Sequence, residues 1–423
     1  MTEITRRAPF GDSPRVGRRG ANTRRKILDA ALAAFDEHGF HDTRIELIAS
    51  AAGCSRPSFY QYFSSKDEVF WTLAGELAKE LSKLSDSLVA VDADQSGVEQ
   101  LRVWLDKMIE LYAMYAAVFA SFPSAAGEPS TSTHGPQIVA KRLGHAINAA
   151  IDLPDDTVPN AVGSITLTVI IRSIDFWRAG LGQLSQQHFV EGLAQTLHRL
   201  MHGPKPDINM EPVVARPAIP EPKWPTLAVD RQHVSRPRGR ATRQKLLTVG
   251  AEVLHSNGYH ETHVDDIVTR AGVSHGSFYH YFSSKDALFQ ELAENATTSV
   301  AEVIKLFPDE IDQPHLQQWL DIYFASYRNN GGVISVWREI KWGNAELNRY
   351  SLDVALATLD RLQRIVDRRN FGDSSVDALA LLALIERVPY NTQTLQYSGQ
   401  TAAIDAAAFL LQRALFGQEL EQS

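Results

Sequence analysis

Two short segments of the chain carry residue types that suit hydrogen bonding to an anionic partner. Residues 58–67 read SFYQYFSSKD, and residues 277–286 read SFYHYFSSKD. Tyrosine and serine hydroxyls and lysine ammonium groups donate hydrogen bonds to phosphate oxygens, and tyrosine rings also pack against thymine methyl groups. Because two such similar segments lie far apart in one chain, we infer that the chain contains two copies of one structural unit.

The similarity extends beyond these segments and predicts the domain organisation. Residues 23–70 and 242–289 align without a gap, and the segment 203–239 between the two repeats contains eight prolines. Proline at this density excludes a helix and favours an extended linker. We therefore predict a basic N-terminal arm (1–22), a first repeated domain, or head (23–66), a first helical regulatory domain (67–203), a proline-rich linker (204–240), a second head (241–285) and a second helical regulatory domain (286–423).

Each head is predicted to contain three helices in a helix-turn-helix arrangement. Apolar residues at helical spacing predict the first helix, which ends at Gly39 in one repeat and at Gly258 in the other. The spacing of Thr43 and Glu46 predicts a capping box at the start of the second helix, with a weaker version at Thr262 and Asp265.

The third helix of each head is predicted to enter the major groove of DNA. Ser55 and Ser274 suit its N-cap, and Phe59 and Phe63, four positions apart, share one inward face. The remaining faces are polar and rich in tyrosine, which suits contacts with phosphates and base edges. Packing at the edge of the core is an alternative role for the tyrosines, but their repetition beside basic segments in both copies favours DNA contact.

These features resemble the N-terminal DNA-binding domain of TetR/AcrR-type transcriptional regulators. The resemblance is carried in the first repeat by Ile27, Leu28, Ala30, Ala31, Phe35, Gly39, Phe40, Thr43, Ile48, Ala49, Ala52, Gly53, Ser55, Ser58, Phe59, Tyr60, Gln61, Tyr62, Phe63 and Lys66. It is carried in the second repeat by Leu246, Leu247, Gly258, Tyr259, Thr262, Ile267, Ala271, Gly272, Ser274, Ser277, Phe278, Tyr279, His280, Tyr281, Phe282 and Lys285. It implies an all-α fold of two fused TetR-like units, each with a three-helix head and a helical ligand-binding and dimerisation domain.

The resemblance also implies roles for individual residues. The threonine that opens the second helix, the first tyrosine of the third helix and the lysine that follows it are implied to contact phosphate in both heads. Together with the other polar residues of the third helix and one arginine of each first helix, the predicted DNA-binding residues are Arg24, Thr43, Ser55, Arg56, Ser58, Tyr60, Gln61, Tyr62 and Lys66, and Arg243, Thr262, Ser274, His275, Ser277, Tyr279, His280, Tyr281 and Lys285.

The two third helices differ where sequence would be read. Arg56 in the first head is replaced by His275 in the second, and Gln61 is replaced by His280. Arginine pairs with guanine O6 and N7, whereas histidine presents a different donor pattern. We therefore predict an operator with two non-identical half-sites, since a chain with two unlike heads does not require a palindrome.

The regulatory domains are predicted to be mostly helical, with segments that include 98–119 and 375–388. The resemblance implies that they bind a small effector and that their last two long helices dimerise. The two repeats could pair as an intrachain pseudo-dimer, or whole chains could form a homodimer, and the sequence leaves both open. A small apolar or aromatic effector is predicted to contact Trp104, Tyr112, Tyr115, Phe119, Trp177, Trp319, Tyr323, Tyr327 and Trp337. For any single one of these aromatics, core packing is the simpler explanation.

Charge and composition narrow the class of protein. The net charge is −8, yet residues 1–28 carry eight lysines and arginines against two acids, and residues 231–245 are also basic. Such local basic segments suit a polyanion, although solvated tails have the same composition. The single cysteine excludes an internal disulfide scaffold. No apolar leader opens the chain, and charged residues interrupt its apolar runs, so we expect a cytoplasmic protein without a membrane partner.

Two common catalytic or phosphate-binding motifs are absent from the sequence. There is no glycine-rich phosphate loop and no HExxH, and we predict that the chain is not an enzyme and needs no cofactor or metal. The predicted function is a ligand-responsive, DNA-binding transcriptional regulator of the repressor type. The alternative is an effector-binding or protein-interaction module in which one or both heads no longer bind DNA.

Overall fold

The computed structural model describes residues 18–40, 42–88, 90–121, 136–153, 158–208, 224–225, 237–337, 345–369, 371–394 and 399–418. Every regular element within these residues is a helix, which confirms the predicted all-α fold. The first repeat contains α1 (Arg18–His38), α2 (Ile45–Ala51), α3 (Arg56–Tyr62), α4 (Lys66–Asp86), α5 (Gln95–Met114), α6 (Ala116–Ser121), α7 (Pro136–Ala149), α8 (Val162–Arg178) and α9 (Gln186–His202). The second repeat contains α10 (Pro237–Glu261), α11 (Val264–Ala271), α12 (His275–Tyr281), α13 (Lys285–Lys305), α14 (Gln313–Trp337), α15 (Ala345–Asp367), α16 (Ser374–Thr394) and α17 (Gln400–Leu410), which a π-helical turn, Leu411–Leu415, extends.

The glycines predicted to end the first helix of each head take the left-handed backbone conformation. Gly39 follows α1 with φ of 78°, and Gly258 interrupts the helical geometry of α10 with φ of 77°. A residue with a Cβ is strained at such φ values, so glycine lets the chain turn toward the second helix.

Three element boundaries differ from the prediction. The segment predicted as one helix over 98–119 is divided at Tyr115 into α5 and α6. The helix α16 continues through Pro389 to Thr394, because one lost hydrogen bond does not outweigh its extensive packing. Pro237 lies in the first turn of α10, where a missing N–H is tolerated, so this helix begins inside the segment predicted as linker. Most of that linker, and residues 1–17 of the predicted arm, lie outside the described residues.

Each head has its own aromatic core. In the first head Phe59 and Phe63 are fully buried, with ring centroids 6.0 Å apart. In the second head Phe278 and Phe282 pack in one buried cluster with the apolar face of α10. Burial of a phenylalanine side chain stabilises a fold by about 1.5–3 kcal/mol, so these pairs fix the third helix of each head against the first two.

The chain divides into two compact units whose boundary does not follow the two repeats. The N-terminal unit comprises Met1–Val91 and Arg102–Ala150, and the C-terminal unit comprises Asp92–Leu101 and Ile151–Ser423. The N-terminal unit therefore contains the first head, whereas α8 and α9 of the first repeat belong with the whole second repeat.

Within the C-terminal unit, α8, α9, α16 and α17 form a four-helix arrangement. The helix α8 packs along α16, α9 packs against α16 and the π-helical turn, and α17 packs against α8. The apolar run Ala378–Ile385 of α16 is buried on all sides, as expected for a central helix. The last two helices of the two repeats thus pair with each other inside one chain.

No helix in the described part of the chain is both long and apolar enough to cross a membrane.

Candidate nucleic-acid interface

The third helix of each head is fixed at its N-terminus and on its inner face. The Ser55 side chain accepts a hydrogen bond from the Ser58 N–H (3.3 Å), and Ser274 accepts one from Ser277 (3.2 Å). Phe59 on the inner face of α3 is fully buried, as is its counterpart in α12. Each helix therefore has one defined orientation, which leaves its opposite face to solvent.

The outer faces of α3 and α12 present the predicted DNA-reading residues. Tyr60 is 43% exposed and Tyr279 is 54% exposed, which is unusual for such a large side chain. The other exposed residues of the predicted set are Ser55, Arg56 and Gln61 in the first head and Ser274, His275 and His280 in the second. Ser58, Tyr62, Ser277 and Tyr281 are half-buried at the edges of these faces. The structure thus brings most of the predicted residues of each third helix to one accessible surface.

An acidic residue on the second helix contacts the first residue of the third helix in both heads. The Arg56 guanidinium lies 2.8 Å from the Glu46 carboxylate and 3.5 Å from the Tyr60 hydroxyl. At the equivalent position, His275 lies 3.3 Å from Asp265. The sequence assigned Glu46 and Asp265 only to helix capping. The sequence does contain a signal for this contact. Both repeats have an acid at one position and a basic side chain ten residues later: Glu46 and Arg56 in the first, and Asp265 and His275 in the second.

The two threonines implied to contact phosphate are buried. Thr43 is 2% exposed, and its hydroxyl donates hydrogen bonds to the carbonyls of Ala34 (3.0 Å) and Gly39 (2.7 Å). Thr262 is fully buried and donates to the carbonyl of Gly258 (2.6 Å). The predicted capping box at Thr43 is wrong, because the hydroxyl is turned back to α1. Both hydroxyls therefore stabilise the turn, and their contact with phosphate stays a prediction.

The lysines that follow the third helices also point into the heads. The Lys66 ammonium donates to the carbonyls of Phe40 (2.5 Å) and Thr43 (3.0 Å) and lies 4.6 Å from the centre of the Phe40 ring. The Lys285 ammonium donates to the carbonyls of Tyr259 (2.6 Å) and Thr262 (2.8 Å). Burial lowers the pKa of both lysines. The geometry therefore gives each lysine a structural role, and its phosphate contact stays a prediction.

Replacing either lysine with methionine is expected to destabilise the protein by about 1–3 kcal/mol, because two partly buried carbonyls lose their donor. Urea unfolding of Lys66→Met and Lys285→Met measures this loss, and the exposed Lys26→Met is the matched control. Unchanged stability together with weaker DNA binding would show that these lysines act on phosphate alone.

The arginines predicted to contact DNA from the first helices differ in their surroundings. The Arg24 guanidinium lies 5.0 Å from the centre of the Phe63 ring, and the Arg243 guanidinium lies 5.3 Å from that of Phe282. Arg243 also forms a largely buried ion pair with Glu291. This pairing occupies the charge of Arg243, and its contact with DNA stays a prediction. The repeat pattern does not indicate the pairing with Glu291, because the first repeat has Thr72 at the aligned position.

Most of the residues predicted to line an effector pocket are buried in the two compact units, and Phe119 and Trp177 are half-buried. Tyr112 stacks on Phe119 with ring centroids 5.0 Å apart, and the Trp177 indole stacks on Phe189. Three predicted tryptophans donate their indole N–H to backbone carbonyls: Trp104 to Leu84, Trp177 to Leu184 and Trp319 to Val303. Tyr115, Tyr323 and Tyr327 are buried, and the side chain of Trp337 lies outside the described residues.

A surface cleft of about 620 Å³ lies in the C-terminal unit. It is lined by Gly182, Gln183, Pro225, Asp353, Leu356, Ala357, Leu359, Asp360 and Gln363. None of the predicted effector residues is among them. The effector site therefore stays a prediction that rests on the aromatic residues alone.

Comparison with known proteins identifies both heads. Residues 27–71 and 246–292 each match the family described as "Bacterial regulatory proteins, tetR family". These segments contain the two third helices with their exposed tyrosines. The chain thus carries two copies of this domain in tandem.

Relatives of the chain are named as transcriptional regulators or repressors. The putative mycofactocin biosynthesis transcriptional regulator MftR of Mycobacterium tuberculosis is 29% identical over 202 residues, which cover 41% of this chain and 98% of that protein. The repressor SCO4008 of Streptomyces coelicolor is 31% identical over 93 residues, and the uncharacterized regulator YdgC of Bacillus subtilis is 38% identical over 71 residues. These two matches cover 22% and 17% of this chain and span only 44% and 36% of those proteins.

Among solved structures, the fatty acid degradation regulator FadR from Bacillus halodurans matches 44% of this chain over its own full length. The TM-score is 0.36 and the sequence identity is 18%.

Proposed function

This chain is a TetR-family protein with two of the family's DNA-binding domains in tandem, and we propose that it represses transcription by placing both heads on one operator. The observation that carries the proposal is the repeated exposed face of α3 and α12. In both heads a fully buried phenylalanine fixes the helix, while the next residue, Tyr60 or Tyr279, stands exposed beside polar side chains. A helix fixed in this way can present its outer side chains to base edges without first having to order them.

We propose further that the two half-sites of the operator differ in sequence. The first residue of the third helix is a permanent cation, Arg56, in one head and His275 in the other, and both are exposed. Gln61 suits adenine, whereas its counterpart His280 has a different donor and acceptor pattern. Because each head reads its own half-site, the operator need not be palindromic.

Ligand response is the third part of the proposal. A small apolar or aromatic effector that enters the helical part of either repeat would alter the separation of the heads and weaken binding to half-sites at fixed spacing. The stacked pair Tyr112 and Phe119, next to the buried Tyr115, supports an apolar site in the first repeat.

Binding to the DNA that flanks the gene of this protein tests the proposal. Fluorescence anisotropy with the full chain should show that affinity falls by about 10³-fold or more between 50 and 200 mM salt, as expected for six or more phosphate contacts. Unrelated DNA of equal length is the control and should bind more weakly at every salt concentration. Equal affinity for both DNAs, or an affinity that does not depend on salt, would contradict the proposal.

A further inference from the structure

The four-helix interface of the C-terminal unit has a pseudo-two-fold symmetry that its hydrogen bonds define. The Arg199 Nε of α9 donates to the carbonyl of Ala414 (2.6 Å), and the Arg413 Nε donates to the carbonyl of Leu200 (2.8 Å). The contacts are reciprocal, so Arg199 and Leu200 of the first repeat are equivalent to Arg413 and Ala414 of the second. Both arginines are buried.

The residue that lies on the pseudo-two-fold axis of this interface has opposite charges in the two repeats. Arg172 precedes Arg199 by the same number of residues as Glu386 precedes Arg413, so these two residues are also equivalent. They contact each other through two hydrogen bonds, from Arg172 Nε (2.8 Å) and from its Nη2 (3.1 Å) to the Glu386 carboxylate. A residue that contacts its own equivalent lies on the axis. Two identical repeats paired in this way would oppose Arg172 to Arg172, or Glu386 to Glu386.

A second pair of equivalent positions disfavours pairing between two first repeats. Arg199 is fully buried, and its charge is balanced by Asp377 at 2.7 Å from the second repeat. The residue of the first repeat that is equivalent to Asp377 is Gly163. If two first repeats were paired in this geometry, each Arg199 would face a glycine and lose its carboxylate, which is costly for a buried cation.

A third pair excludes pairing between two second repeats. A Cβ atom on Gly192 of α9 would lie 2.7 Å from Cγ2 of Val376. The second repeat has Ala406 at the position equivalent to Gly192. If two second repeats were paired, Ala406 would bring that Cβ atom into contact with Val376, and the helices would have to separate.

We propose that these three asymmetric positions make the interface specific for unlike repeats, so that the two halves of one chain pair with each other and reject the matching half of a second chain. The partner of the surface formed by α8 and α9 is therefore α16 and α17 of the same molecule. Opposite charges on the axis favour the pairing of a first repeat with a second repeat. Like charges on the axis oppose the pairing of two first repeats or of two second repeats, and a steric overlap also opposes the pairing of two second repeats. This inference concerns the interface and does not depend on DNA binding.

Charge reversal on the axis tests the proposal in the full chain. Asp175 also pairs with Arg172, so every variant carries Asp175→Asn. We expect Arg172→Glu alone and Glu386→Arg alone each to lower the midpoint of thermal unfolding by on the order of 5–10 °C. The double variant with both reversals should recover more than half of the loss, because opposite charges meet again. Reversal of the exposed pair Lys305 and Glu302 is the control and should leave the midpoint unchanged.

Two further measurements address the steric contact and the number of chains. Gly192→Ala should lower the midpoint, and Val376→Ala in the same chain should relieve part of that loss. Light scattering at micromolar concentration should give the mass of one chain. A mass of two chains would overturn the proposal, as would a double-reversal variant no more stable than the sum of the two single variants predicts.

Discussion

Replacing Asp377 with alanine is expected to lower the free energy of unfolding by about 3–5 kcal/mol, the cost of removing one partner from a buried ion pair. The Asp377 carboxylate is 1% exposed and accepts hydrogen bonds from Arg199, Arg369 and the Thr196 hydroxyl. Arg199 is fully buried, and burial lowers its pKa to about 10 even with this carboxylate present. Without Asp377, two arginines would lie close together in the core without their shared counter-charge.

Urea unfolding of Asp377→Ala, monitored by circular dichroism, measures this loss. Asp377→Asn separates the contribution of the charge to the free energy of unfolding from that of the hydrogen bonds, because it removes the charge but keeps part of the hydrogen bonding. The control is Asp321→Ala, an exposed acid of the same unit, which should change stability by less than about 0.5 kcal/mol. If Asp377→Ala were as stable as this control, the buried cluster would not hold the repeats together.

Disabling either third helix is expected to lower operator affinity by about 10²–10⁴-fold, because a second head on the same chain binds at high effective concentration. The variants are matched position by position: Arg56→Ala, Tyr60→Ala and Gln61→Ala in the first head, and His275→Ala, Tyr279→Ala and His280→Ala in the second. All six side chains are exposed, so their removal should leave both folds intact.

Anisotropy titration of each triple variant on the same operator measures the affinity, and its thermal midpoint provides the control for folding. If both heads contact DNA, both variants should lose affinity by a similar factor. A loss in only one of them would show that a single head reads DNA, which is the alternative function that the sequence leaves open.

The sequence predicted the elements of this protein better than the contacts of individual side chains. The backbone turns at Gly39 and Gly258, and the buried Phe59 and Phe278, follow from local spacing and backbone preference, which the chain carries in its sequence. The direction of Thr43 could not be predicted in this way. Its hydroxyl has several acceptors within reach, and tertiary packing decides between them.

Contacts between residues that lie far apart in the sequence are the other feature that could not be predicted. Lys66 and Lys285 lie where an anion could approach, yet each finds carbonyls from a turn more than twenty residues earlier in the chain. The partner of Arg243 is Glu291 on a different helix, and the partner of Arg172 is Glu386 in the other repeat. Such pairs depend on how the helices pack. The repeat pattern can indicate a pair such as Arg172 and Glu386 only when the position of the pseudo-two-fold axis is known.

Footprinting of the full chain on the intergenic DNA beside its gene tests the central claim most directly. We predict two protected segments of unlike sequence, with centres separated by one helical turn of about 34 Å or a multiple of it, and one chain for each pair of segments. A single protected segment, or a palindromic site occupied by two chains, would contradict the account of one chain reading DNA with two different heads.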